Sequence, residues 1–211
     1  MKPPARLLAF AAAACALAGA APAAAPARDL GLGLSYYRLH DVPADLPAPA
    51  AARGGPCVLD VRFAKSAGAG AAALRAWVQA HASARAPVFV LENEGTSHEL
   101  RAALGGSAAA GLIVLAPAAE GLAADITVQV SADDDRRAYE LAEKGASLDS
   151  LLADNPEKPR VDEEYLEKEH LSDADAPDAA AGRPSPPSPP TDPLLQRAVQ
   201  LHRGLVALKK I

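Results

Sequence analysis

The sequence predicts an α/β fold with a mainly parallel sheet flanked by helices, and three observations lead there. Strand-like apolar runs alternate with segments of helical periodicity across residues 30–153. The runs at 57–63, 88–91 and 111–115 are dominated by apolar residues, with too little alternation for a half-exposed strand, as in strands covered on both faces. The core formers are also few. Half of the 211 residues count as hydrophobic, but alanine supplies roughly a quarter of the chain and aromatics only 4%. Such a chain holds one core, that of a domain of about 120 residues, which excludes a large two-domain enzyme.

Taken in order, residues 34–39 form the first strand and 42–56 a Pro/Ala-rich loop, followed by the strand at 57–63. Residues 71–82 read as a helix with Leu74, Trp77, Val78 and His81 on one face. Pro87 ends that pattern before the strand 88–91, and a short helix spans 96–104 up to Gly105-Gly106. The third buried strand lies at 111–115, and residues 125–130 alternate as a half-exposed strand. Ser131 is an N-cap, with Asp133, Asp134 and Asp135 in the first turn as a solvated, dipole-favoured helix start. Gly145 closes that helix, and residues 147–153 add a short helical piece.

The ends of the chain carry different information. Residues 1–25 read as a secretory signal peptide: Lys2 and Arg6, an uncharged stretch at 7–17, then Ala18-Gly19-Ala20 as a cleavage site. Pro22 and Pro26 interrupt this run short of the about 20 residues that span a bilayer, so no spanning segment is expected in the mature chain. Export to the periplasm or beyond follows. Cys15 stands in for a small apolar residue rather than a lipid anchor, because no Leu lies three positions before it. Cys57 is then a single thiol, and packing rather than a disulfide must hold the domain.

Residues 154–191 are acidic and then Pro/Ser-rich, a linker expected to be disordered. Residues 192–211 form an amphipathic helix with Asp192 as N-cap and Pro193 at the first position. Leu194, Ala198, Leu201, Leu205 and Leu208 make an apolar seam, and a helix this short must dock, on its own domain or on another protein. The net charge of −5 argues against a nucleic-acid partner.

The stretch 93–100 joins a buried strand to a helix at the sheet edge where α/β folds place ligands. Ser97 is the catalytic candidate. His98, its neighbour, points elsewhere and is poorly placed as its base. Thr96 and Glu99 have the spacing of a capping box, which accounts for the turn without chemistry. No His pair has metal-ligand spacing, Asp133–Asp135 lack the pattern of a calcium loop, and Gly68–Gly70 lack the Lys-Ser/Thr of a phosphate loop; no metal or cofactor is expected.

Pro87-Val88-Phe89-Val90-Leu91-Glu92-Asn93-Glu94-Gly95-Thr96-Ser97-His98-Glu99-Leu100 resembles the nucleophile segment of C-terminal-processing (tail-specific) serine peptidases. Val58-Leu59-Asp60-Val61-Arg62 resembles the strand before that family's oxyanion loop, and the stretch 125–134 its closing strand and acidic helix start. The resemblance covers residues 30–153 and implies the ββα core of the Clp protease/crotonase-like superfamily, with Ser97 in the nucleophile's place. The chain departs from the family where chemistry is done. There is no lysine between Lys65 and Lys144 to serve as base, residues 63–70 replace the oxyanion loop, and no PDZ-like domain fits. The resemblance therefore implies a degenerate core and a non-catalytic binding or envelope-associated protein; the enzyme alternative is a serine hydrolase using Ser97 with an unidentified base. Leu59-Asp60-Val61-Arg62 also occurs in rhodanese-like domains, but Glu92 and Asn93 stand where the catalytic Cys loop would begin.

Overall fold

The computed structural model describes residues 25–48, 54–107, 109–153 and 191–211. The expected signal peptide and linker lie outside the described residues, apart from Ala25 and Thr191. The strands are β1 (Arg28–Asp29), β2 (Ser35–Arg38), β3 (Asp41–Val42), β4 (Cys57–Asp60), β5 (Lys65–Ser66), β6 (Val88–Leu91), β7 (Leu112–Pro117) and β8 (Ile126–Val128). The helices are α1 (Gly70–His81), α2 (His98–Gly105), α3 (Ala132–Glu143), α4 (Leu148–Leu152) and α5 (Pro193–Ala207).

Six strands form one sheet in the order β1-β2-β4-β6-β7-β8. All neighbours are parallel except the two-residue edge strand β1, which runs antiparallel to β2. The register places Leu59 beside Tyr37 and Val90, and Val90 beside Val114. Strands β3 and β5 pair in parallel as a separate small sheet. The sequence did not signal it, because two-residue strands carry no periodicity.

Alternate side chains of the fully buried strands β4 and β6 supply two cores, which is why those runs do not alternate. On one face Leu59, Val61, Val88, Val90 and Val114 pack with Leu74, Trp77 and Val78 of α1 and Leu100 and Leu104 of α2. On the other, Tyr36, Val58, Phe89, Leu91 and Leu115 meet Leu194, Leu195, Ala198 and Val199 of α5. Each Val, Leu or Phe among them, buried from water, contributes about 1.5–3 kcal/mol. Trp77 donates its indole N–H to the carbonyl of Pro47 at 2.8 Å and stacks on His81, with ring centroids 4.1 Å apart. Gly111, with φ of 86°, lets the chain entering β7 pass against the Ser83 backbone, where a Cβ would collide.

The buried stripe of α5 differs from the expected seam. Leu194, Leu195, Ala198, Val199 and His202 are buried, Leu201 and Leu205 are half-buried, and Leu208 is 69% exposed. A heptad seam suits a partner helix that supercoils. A straight helix on a sheet instead buries positions i, i+1, i+4, i+5 and i+8, the stripe of a 3.6-residue period.

Candidate functional site

The C-terminal edge of the sheet is built around Arg62, two residues beyond the end of β4 and fully buried. A guanidinium has five N–H donors, and all five are used. Nε and Nη2 donate to the Asp60 carboxylate at 2.9 and 2.7 Å. Nη1 donates to Asp135 of α3 at 2.9 Å and to Asp192 at 3.1 Å, and Nη2 also to Asp192 at 2.7 Å. Asp192 in turn caps α5, accepting from the Leu195 N–H at 3.1 Å. One side chain thus ties the central sheet to α3 and α5.

Around it the charges are screened by further donors. The Tyr36 hydroxyl donates to Asp60 at 2.7 Å and accepts from Arg38 Nε at 2.9 Å. Arg38 lies 4.5 Å over the Tyr139 ring and pairs with Glu143 at 2.8 Å. Burial alone would push the Asp60 carboxyl up, but the charge and hydrogen bonds of Arg62, with Arg38 and Tyr36, outweigh it and hold Asp60 below its ordinary value. Burial raises the Tyr36 hydroxyl well above its usual value, so it stays a donor. Asp135 corrects the expectation of a solvated helix start. Asp133 and Asp134 are exposed, whereas Asp135 is 2% exposed, bound to Arg62 and to the Asn93 amide at 2.7 Å.

Beside this network lies an open cleft of about 230 Å³, walled by Phe63, the 93–95 turn, residues 117–119 and the start of α3 with Arg136. Phe63 has a φ of 60°, which a bulky residue adopts only under constraint. Its N–H is held by the Asn93 Oδ1 at 3.3 Å, and its ring meets Tyr139 edge-on at 4.9 Å. The ring also covers Gly95 so closely that a Cβ there would strike it. Arg136 rests 5.3 Å over the same ring. The fold thereby presents an aromatic face at the cleft's wall.

Ser97 does not line the cleft. Its N–H donates to the Ala64 carbonyl at 3.0 Å, and it heads α2 as N-cap without a side-chain capping bond. Its Oγ is enclosed and has no hydrogen-bond partner among the described residues. The capping box does not form. The Thr96 hydroxyl instead donates to the Val61 carbonyl at 3.0 Å and accepts the Asn93 N–H at 3.0 Å, because the tight turn points it back to the residue that follows β4.

Glu92, which sequence reasoning passed over, is 2% exposed and its Oε2 has no partner among the described residues. Burial pushes its carboxyl from the ordinary 4.5 to about 7, against the opposing pull of Arg101, whose Nε is also enclosed without a partner. A lone Glu after an apolar strand gives no sign of this in sequence.

The other named residues are scattered. His98 is exposed on α2, His40 pairs with Glu143 at 2.9 Å, and Lys144 pairs with Glu140 at 3.5 Å on the surface of α3. His202 is buried against Phe89, its Nε2 3.1 Å from the Leu32 carbonyl. Cys57 is buried, its thiol pushed up to about 12. Among the described residues no group of His, Cys, Asp or Glu has the arrangement of a metal site, and no helix is long and apolar enough to cross a membrane. Comparison of the chain with protein-family models, with curated proteins and with solved structures finds no match in any of the three.

Proposed function

We propose that this chain is an exported, non-catalytic α/β domain of degenerate tail-specific peptidase type, acting by binding at the cleft beside Phe63. The observation that carries this reading is the enclosure of Ser97 Oγ, which neither faces the cleft nor meets a base among the described residues. A serine hydroxyl without activation is a poor nucleophile. The ββα architecture is supported by the way β2 and β4 each run on into a strand of the small sheet, β3 and β5, before α1 follows. Export rests on residues 1–25, and N-terminal sequencing of secreted protein checks it; a mature chain that still begins at Met1 rejects it.

Glu92 favours the second reading, a serine hydrolase. A carboxyl raised to about 7 is suited to accept a proton near neutrality, and it stands five residues before Ser97 in the sequence. A fluorophosphonate probe and a peptide-hydrolysis assay on the native protein separate the two. The binding reading expects no labelling and no hydrolysis. Ser97 labelling that disappears in Ser97→Ala and falls in Glu92→Gln establishes the hydrolase instead.

A further inference from the structure

We propose that α5 is an exchangeable module, and that the sheet face it covers accepts α5 from a second copy of this chain as well as its own. The groove recognises the helix by chemistry that needs no covalent connection. Two Arg62 nitrogens grip the cap carboxylate of Asp192, and Val58, Phe89, Leu91 and Leu115 receive Leu194, Leu195, Ala198 and Val199. The register is fixed at both ends, by Asp192 N–H on the Leu151 carbonyl at 2.9 Å and by His202 on the Leu32 carbonyl.

The chain that joins α5 to the rest does not restrict it to one groove. Ala153 and Gln196 are in direct contact at 3.1 Å, so the segment between them leaves and returns at one place. The 37 residues between Ala153 and Thr191 reach about 120–130 Å at full extension, several times the roughly 13 Å radius of a domain of about 100 residues. Reciprocal exchange forms every α5 contact again, so the two arrangements differ mainly in tether entropy. That term alone puts the crossover at the effective concentration of a tethered ligand, on the order of millimolar.

A second observation favours association. The large apolar side chains exposed among the described residues are Leu32, at 64%, and Leu208, at 69%. One is in the turn bonded by His202. The other lies about 9 Å further along the same helix. Contact of a second copy with this open apolar end of α5 would move the crossover to lower concentration.

Sedimentation of the full chain, from micromolar to millimolar concentration, beside a chain with residues 158–187 deleted, tests the proposal. The seven tether residues that remain still join the adjacent ends, so α5 docks in its own domain at a higher effective concentration and exchange is disfavoured. Circular dichroism and a cooperative melt verify that it is folded. The expected result is a reversible monomer–dimer equilibrium for the full chain, and self-association weakened roughly tenfold or more in the shortened one. Mixing heavy-isotope and light full-length chains should then give mixed dimers by native mass spectrometry. A full chain that remains monomeric to millimolar concentration overturns the proposal. Dimerisation undiminished by the deletion also overturns it, since that marks an ordinary surface contact.

Discussion

Arg62 shows how much of this molecule depends on single side chains. Its five donors are shared among three carboxylates that lie 2, 73 and 130 residues away. Replacing it by Met leaves Asp135 and Asp192 buried without the cation they share, and Asp60 with Arg38 alone at 3.8 Å. Urea denaturation is expected to show a loss of about 3–5 kcal/mol, part of which Asp192→Asn restores in the double variant. Acid acts on the same group: Asp60 is held down in the fold, so its contribution is present above its unfolded value and lost as pH falls through the folded one. Glu92 has the opposite sign. Its folded value of about 7 exceeds the ordinary 4.5, so stability is highest below 4.5 and declines as pH rises towards 7. Glu92→Gln should therefore stabilise the protein at pH 8 by up to about 3 kcal/mol and flatten the pH profile across that window. None of this was legible in sequence. Asp192 read correctly as the cap of the last helix, Asp135 as part of a solvated helix start and Asp60 and Arg62 as parts of one strand motif, but only the folded chain brings the four together.

At the scale of elements the sequence was a better guide. Residues 88–91 are a strand as read, and Ser131 caps α3, accepting the Asp134 N–H at 3.1 Å. Ser131→Ala should cost about 1 kcal/mol in thermal or urea unfolding. Pattern reading works for such elements because each signal lies within a few residues of the structure it dictates. It failed at Thr96 and along α5, where the deciding partner is distant: the Val61 carbonyl in one case and the face of the central sheet in the other. The seam of α5 provides a direct check. Leu195, outside the heptad register, is 1% exposed, whereas Leu208, within it, is 69% exposed. Leu195→Asp is expected to destabilise the domain by several kcal/mol and Leu208→Asp by about 0.5 kcal/mol or less, measured by urea titration.

Across the whole molecule, alternating strand and helix signals made the layered α/β class legible, while the small β3–β5 sheet and the cleft beside Phe63 were not. Both arise from turns whose geometry depends on what packs behind them, as the Asn93 amide shows by fixing Phe63 and Gly95 at once. The burial of Cys57 at the start of a central strand supplies a measure of global integrity. Its thiol should react with a maleimide only through unfolding, at a rate that follows stability in the Arg62 and Leu195 variants. The same burial has a consequence in any oxidising compartment. In a mature chain that has lost Cys15 with the proposed signal peptide, a folded molecule conceals its one sulfur in the core and stays unlinked, while two that fail to fold can be joined covalently at Cys57. The failed fraction would carry a covalent mark, visible as a band of doubled mass that reducing agent removes.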